Sequence, residues 1–302
     1  MIIDCHTHIW TDVKQLGEGA EAYLRRQSDR ESLSATPADH ELATRCVDKA
    51  LVMGFRSVHL SAAVPNSLVA DYVATRSERL VGIAGIDPMA DGALAEAEEL
   101  LERPEFRGLA ISPSRQCFHP ANSRAMDLYE LASERKVPVF CQQGTHFPSH
   151  GRMEYARPLL LDEIATEFPD LTLVIATMGH PWVEEGIALI GKHPRVFADL
   201  AGLVRRPWQA YNAMVLAYQF NVADKVLFGS DFPFFTAAEA IESVYRMHEI
   251  TQGTNLPTVP REVLRSIVER NALELLGIAR PGELAETPPE AEEEPEEEEI
   301  QP

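Results

Sequence analysis

Lys225-Val226-Leu227-Phe228-Gly229-Ser230-Asp231 is the stretch on which the fold turns. A short apolar run that stops at Gly-Ser-Asp reads as a buried strand ending in a polar loop. It is the last of eight such runs, the others being residues 2–4, 49–53, 80–86, 108–112, 137–142, 171–176 and 195–200. Between them lie segments with apolar residues at helical spacing, such as Leu161, Ile164, Ala165 and Phe168, or Leu264, Ile267 and Val268. Pro65-Asn66, Pro120 to Asn122 and His180-Pro181 mark helix starts. Strand and helix alternating to the end of the patterned chain predict an α/β fold, a (β/α)8 TIM barrel over residues 1–280. A doubly wound open sheet would want a glycine-rich dinucleotide fingerprint after its first strand, and none is present.

Closure of such a barrel makes the first and eighth strands neighbours, with their C-terminal ends at the same face. Asp4-Cys5-His6-Thr7-His8 ends the first strand, and side chains in a strand alternate with period two. Asp4, His6 and His8 are therefore expected on one face, where the two imidazoles can converge on one metal ion. The competing reading is a pair of histidines that satisfies polar groups in a loop. Asp231 reaches the same mouth from the eighth strand and can ligate a divalent ion, act as general base, or do both in turn. Its plain alternative is to N-cap the next segment.

The chain has 302 residues, 45% of them hydrophobic, with 47 acidic against 27 basic residues and a net charge of −20. Half of that charge comes from the ten Glu of residues 283–302, where Lys and Arg are absent. Residues 281–302 are read as a disordered, solvating Glu/Pro-rich tail. The acidic balance excludes a general nucleic-acid binder and gives no attraction to anionic membranes. Long uncharged apolar runs and a secretory leader are not visible, and Cys5, Cys46, Cys117 and Cys141 lack metal or redox spacing. Reduced thiols and a cytoplasmic setting are expected. Trp10 to Asp39 reads as a long polar insertion after the first strand.

Four ordered motifs carry a resemblance: Asp-Cys-His-Thr-His-Ile-Trp at 4–10, Val-Pro-Val-Phe leading to Gln-Gly-Thr at 137–145, Phe-Pro-Asp-Leu-Thr-Leu-Val-Ile-Ala before Met-Gly-His-Pro-Trp at 168–182, and Lys-Val-Leu-Phe-Gly-Ser-Asp-Phe-Pro-Phe at 225–234. From Ile2 to about Ile278 the chain resembles the amidohydrolase superfamily, in the branch holding aminocarboxymuconate-semialdehyde and resorcylate decarboxylases and several hydrolases. The resemblance implies a TIM barrel and one divalent ion, zinc or similar, held by His6, His8 and Asp231. It also implies a histidine ligand ending the fifth strand and a catalytic histidine ending the sixth. This chain has Gln142 and Thr177 at those places, and Ala110 where relatives often carry Lys.

Gln142 offers a neutral amide oxygen, a weaker ligand than imidazole, and Thr177 does not titrate near neutrality, which leaves it a place on the substrate side. His180, three residues beyond Thr177, is the remaining candidate catalytic group, and His146 is a candidate substrate contact. Arg205 and Arg206 are expected to pair with a substrate carboxylate, and Trp208 to wall the pocket. Cys141 is read as core. The expected function is hydrolysis or decarboxylation of a small carboxylate-bearing metabolite. Its rivals are a metal-free binding protein on the same barrel and a metal-independent hydrolase. The sequence leaves a homo-oligomer open.

Overall fold

The computed structural model describes residues 1–17, 20–21, 24, 34–143 and 151–280. Eight parallel strands form one sheet: β1 (Ile3–His8), β2 (Lys49–Met53), β5 (Leu80–Gly85), β6 (Phe106–Ile111), β7 (Val139–Cys141), β8 (Leu173–Ile175), β9 (Val196–Asp199) and β10 (Val226–Leu227), hydrogen-bonded in that order. The segment that runs on from β10 returns to β1. Cys5 donates its N–H to the Phe228 carbonyl at 2.9 Å, Asp231 to His6 at 3.0 Å and His8 to Phe232 at 3.0 Å. These bonds close the barrel, and the helices between strands wrap its outside.

Period-two alternation sorts the strand residues into two layers. Leu51, Met53, Val81, Ile83, Phe140, Val174 and Leu227 fill the interior, while Ala50, Val52, Leu109, Val139, Leu173 and Ile175 pack outward against the helices. The interior cluster also contains Ala272, Leu273, Leu276 and Ile278, from and just after a short helix at Ala272–Leu275. These residues plug the end of the barrel where the strands begin. Each fully buried aliphatic side chain contributes about 1.5–3 kcal/mol.

Two features depart from the sequence reading. Phe55–Ser57 (β3) and Ala62–Val64 (β4) pair as an antiparallel hairpin beside the barrel; strands of three residues are too short for a periodicity to register. In β1 the expected single face for Asp4, His6 and His8 is broken. Ile3 and Cys5 belong to the interior layer, and the register with β2 shifts between Asp4 and Thr7. That irregularity resets the phase, so the histidines face inward although the strand begins with its odd-numbered residues inside.

In the Trp10 to Asp39 insertion, the described part holds a 3-10 turn at Val13–Leu16, capped by Asp12 and Gln15, and the start of a helix at Pro37–Ala43 capped by Thr36. Residues 281–302, read as a disordered tail, lie outside the described residues, as does His146. Among the described residues, no helix is long and apolar enough to cross a membrane.

Candidate metal centre

The end of β1 and the turn after β10 meet at the mouth. One ligand atom each from His6, His8 and Asp231 lies within 4.8 Å of the others, and the two imidazoles stand edge to face with centroids 5.0 Å apart. Asp231 takes a left-handed backbone with φ of 61°, a conformation that Asp tolerates better than most residues and that turns its carboxylate back over β1. Its Oδ1 lies 3.9 Å from His8 Nε2 and its Oδ2 3.9 Å from Arg205 Nη2. Neither distance is a hydrogen bond, and Oδ2 is buried without a hydrogen-bond partner. Gly202 keeps that oxygen uncovered: a Cβ there would lie 2.8 Å from Oδ2.

Two further carboxylates crowd the same spot. Asp4 Oδ1 accepts the Ser230 N–H at 2.9 Å and the His6 N–H at 3.3 Å, pinning the β10 turn to β1. Asp199 ends β9 with its side chain wholly buried; Oδ2 lies 2.8 Å from His6 Nδ1. Burial pushes the carboxyls of Asp4 and Asp231 up to about 6. At Asp231 the charges of His6 and Arg205 oppose that rise, and those of Asp199 and Asp4 add to it. For His6 burial acts downward, yet the charge and hydrogen bond of Asp199, helped by Asp231 and Asp4, leave the imidazole above its ordinary value. The site thus gathers more buried negative charge than His6 and Arg205 offset. Two imidazoles and a carboxylate are a borderline donor set suited to zinc or manganese. The donor set, the unpartnered Oδ2 and the open cradle at Gly202 together fit a divalent ion.

The replaced positions lie in or just after their strands. Gln142 follows β7 with its side-chain nitrogen buried and lacking a hydrogen-bond partner. Ala110 is part of the apolar interior. Thr177 stands in a left-handed turn, φ of 57°, with Met178 alike at 51°, and its N–H donates to Asp199 Oδ1 at 2.8 Å. His180 is half-buried with Nδ1 unpartnered; burial first, then the charge of Arg206, holds its imidazole below the ordinary value, so it is neutral near pH 7.

Arg205, expected beside a substrate carboxylate, stands inside the mouth. Its side chain is 11% exposed, and the guanidinium lies 4.5 Å over the Phe234 ring and beside Asp231. Arg206 precedes the helix Pro207–Gln219. Trp208, expected as a pocket wall, is instead 57% exposed at the first turn of that helix, tilted against Tyr211 at 5.6 Å. A ring that open to water does not enclose a ligand. Cys141 packs in the outer layer, and burial pushes its thiol up to about 12, which removes it as a nucleophile.

Sequence reasoning passed over Asp199 and His40. Asp199 stands two residues beyond interior-facing Phe197, so strand alternation alone aims it into the mouth. His40 supports β1 from the outer side: Tyr72 hydroxyl lies 3.0 Å from its Nδ1, and its Nε2 2.8 Å from Thr7 Oγ1. Thr7 spends its own hydroxyl proton on the Leu51 carbonyl at 2.6 Å, so His40 donates through Nε2. Burial holds that imidazole down to about 3, with Arg79 adding to the effect. No spacing in the sequence announces either partnership.

A closed eight-stranded barrel carrying an aspartate and two histidines at its mouth is a TIM barrel with a candidate metal site. The amidohydrolase family profile matches residues 3–278, and the chain belongs to that family. Comparison with curated proteins gave no match. Among solved structures, an uncharacterized TIM-barrel protein from Bordetella bronchiseptica is 21% identical with a TM-score of 0.68, over 92% of this chain and 98% of that one. A probable 2-pyrone-4,6-dicarboxylic acid hydrolase from Acinetobacter baumannii, with citric acid bound, is 15% identical at TM-score 0.63, over 91% and 99% of the two chains. A dihydroxybenzoic acid decarboxylase from Polaromonas sp. JS666, with manganese and the inhibitor 2-nitroresorcinol, is 16% identical at TM-score 0.63, over 94% and 98%. At these identities the likeness speaks for the fold.

Proposed function

We propose that this chain is a hydrolase or carboxy-lyase acting on a small carboxylate-bearing molecule at one divalent ion held by His6, His8 and Asp231. The observation that carries the reading is the convergence of one ligand atom from each of those residues within 4.8 Å, beside a carboxylate oxygen with no hydrogen-bond partner. Zinc is the expected ion, with Gln142 as a weak extra donor. When bound, such an ion polarises a substrate oxygen or a water.

The chain's own residues supply the rest. Asp231, its carboxyl raised by burial, is poised to take a proton at Oδ2, the oxygen that faces Gly202. Arg205, held between Phe234 and Asp231, presents a guanidinium to a substrate carboxylate, and Arg206 adds positive charge at the rim beside His180. His180, neutral near pH 7, exchanges hydrogen bonds with substrate rather than a full charge, and Thr177 offers a hydroxyl on the same side. The four free thiols agree with a cytoplasmic setting. Neither nucleic acid nor membrane is a proposed partner.

Metal analysis of protein purified without chelator, then titration with Zn2+ or Mn2+, tests this reading. One ion per chain, lost in His6→Ala, is expected; a chain that binds neither ion overturns it. A second reading is favoured by Arg205, which already brings positive charge within 3.9 Å of Asp231. On that view the barrel works without metal, as a hydrolase or a binding protein. Turnover of a lactone that survives chelation would select the metal-independent hydrolase.

A further inference from the structure

The carboxylate of Asp199 is held more firmly than that of the proposed ligand Asp231. Its Oδ1 accepts two backbone N–H groups, from Thr177 at 2.8 Å and from Ala201 at 3.0 Å. Its Oδ2 is thereby aimed at His6 Nδ1, 2.8 Å away, with both side chains almost wholly buried. The Thr177 N–H is available because the turn after β8 runs through two successive left-handed residues, Thr177 and Met178, a strained course that persists only where its surroundings hold it. A carboxylate with one oxygen taken up by N–H donors can only accept at the other, so the proton on His6 belongs on Nδ1.

We propose, resting on the metal-centre reading above, that Asp199 is the positioning residue of the site: it fixes His6 as the Nδ1–H tautomer and leaves Nε2 as the nitrogen presented to the point shared with His8 and Asp231. Position 177 then works through its main chain. The turn anchors Asp199, Asp199 orients His6, and the end of the sixth barrel strand contributes to the centre without a titrating side chain. Partners that orient metal-binding histidines in this way govern the basicity and direction of the ligand.

Asp199→Asn tests the idea with little change in size. The Thr177 and Ala201 N–H groups still require an oxygen, so the new NH2 turns toward His6 Nδ1 and forces the proton to Nε2. Nitrogen-15 spectra of histidine-labelled, metal-free protein at alkaline pH, with the His6 signals identified by their loss in His6→Gln, read the tautomer directly. Nδ1–H in the wild-type chain and Nε2–H in the variant are expected, with Zn2+ affinity, measured by competition with a chromogenic chelator, lowered about 10–100-fold. An Nε2–H wild-type His6 overturns the proposal without recourse to any variant. An unchanged tautomer or unchanged Zn2+ affinity in the variant overturns it as well. If the wild-type chain binds neither Zn2+ nor Mn2+ but the tautomer flips as expected, the metal-centre reading falls and Asp199 keeps its positioning role.

Discussion

The two ends of the barrel are built on opposite principles. Where the strands begin, Ala272, Leu273, Leu276 and Ile278 plug the interior with apolar side chains. Where the strands end, the atoms without hydrogen-bond partners include Asp4 Oδ2, Asp231 Oδ2, Gln142 Nε2 and His180 Nδ1. Buried polar groups gain stability only when paired, and these atoms lie at the open end, while the plug is apolar throughout. The same eight strands serve both ends, and the difference teaches that this fold separates the region that holds it together from the region poised to bind.

The widest contrast comes from one substitution at each end. Asp231→Asn should weaken Zn2+ binding by more than about 100-fold, beyond what loss of an orienting partner gives, because an anionic ligand is replaced by a neutral amide oxygen. Its unfolding free energy, from urea titration of the metal-free protein, should change by less than about 1 kcal/mol, since carboxylates outnumber cations at that spot. Leu273→Ala should do the reverse, costing about 2–5 kcal/mol in the same titration and leaving Zn2+ affinity intact. Equal stability losses at both ends would erase the distinction.

His40 sharpens it, because it belongs to the supporting framework although it braces the strand that carries His6 and His8. Its imidazole takes up a proton near 6.5 when unfolded but only near 3 when buried. The unfolded chain therefore binds the proton first, and the stability that His40 confers is complete above pH 6.5. It is lost as pH falls from there toward about 3, by up to about 1.4 kcal/mol per pH unit. His40→Gln should flatten the acid limb of a plot of unfolding free energy against pH. An equally steep limb in the variant would assign acid sensitivity to the mouth instead. The smallest effect is expected for removal of residues 281–302: unfolding and any turnover should be unchanged, and a marked loss of either would make that acidic stretch part of one end or the other.

Much of this arrangement was legible in the sequence because it is local. His6, His8 and Asp231 each sit beside a strand pattern, and closure of a parallel barrel brings first and last strands together whatever lies between. Alternation aims Asp199 inward, but its role was not legible, because that lies in one hydrogen bond to a residue 193 positions away and in a turn at Thr177 that has no sequence signature. The β1 histidines face the interior for a reason the alternation rule misses, a register shift between Asp4 and Thr7. Trp208 left its expected place because residues at the start of a helix are sorted by rotation about its axis, which a loop motif does not encode.

The bond from Ser230 to Asp4 spans 226 positions, and it has a consequence for how the protein comes into being. On a ribosome the two histidines emerge early, but the turn that orders their surroundings is made only after seven further strands of the barrel have been synthesised. A nascent chain shorter than that has the ligands of β1 without Asp231 beside them. On the metal-centre reading, the three ligand atoms come together only once the barrel can close, so capture of an ion in this geometry waits for that step.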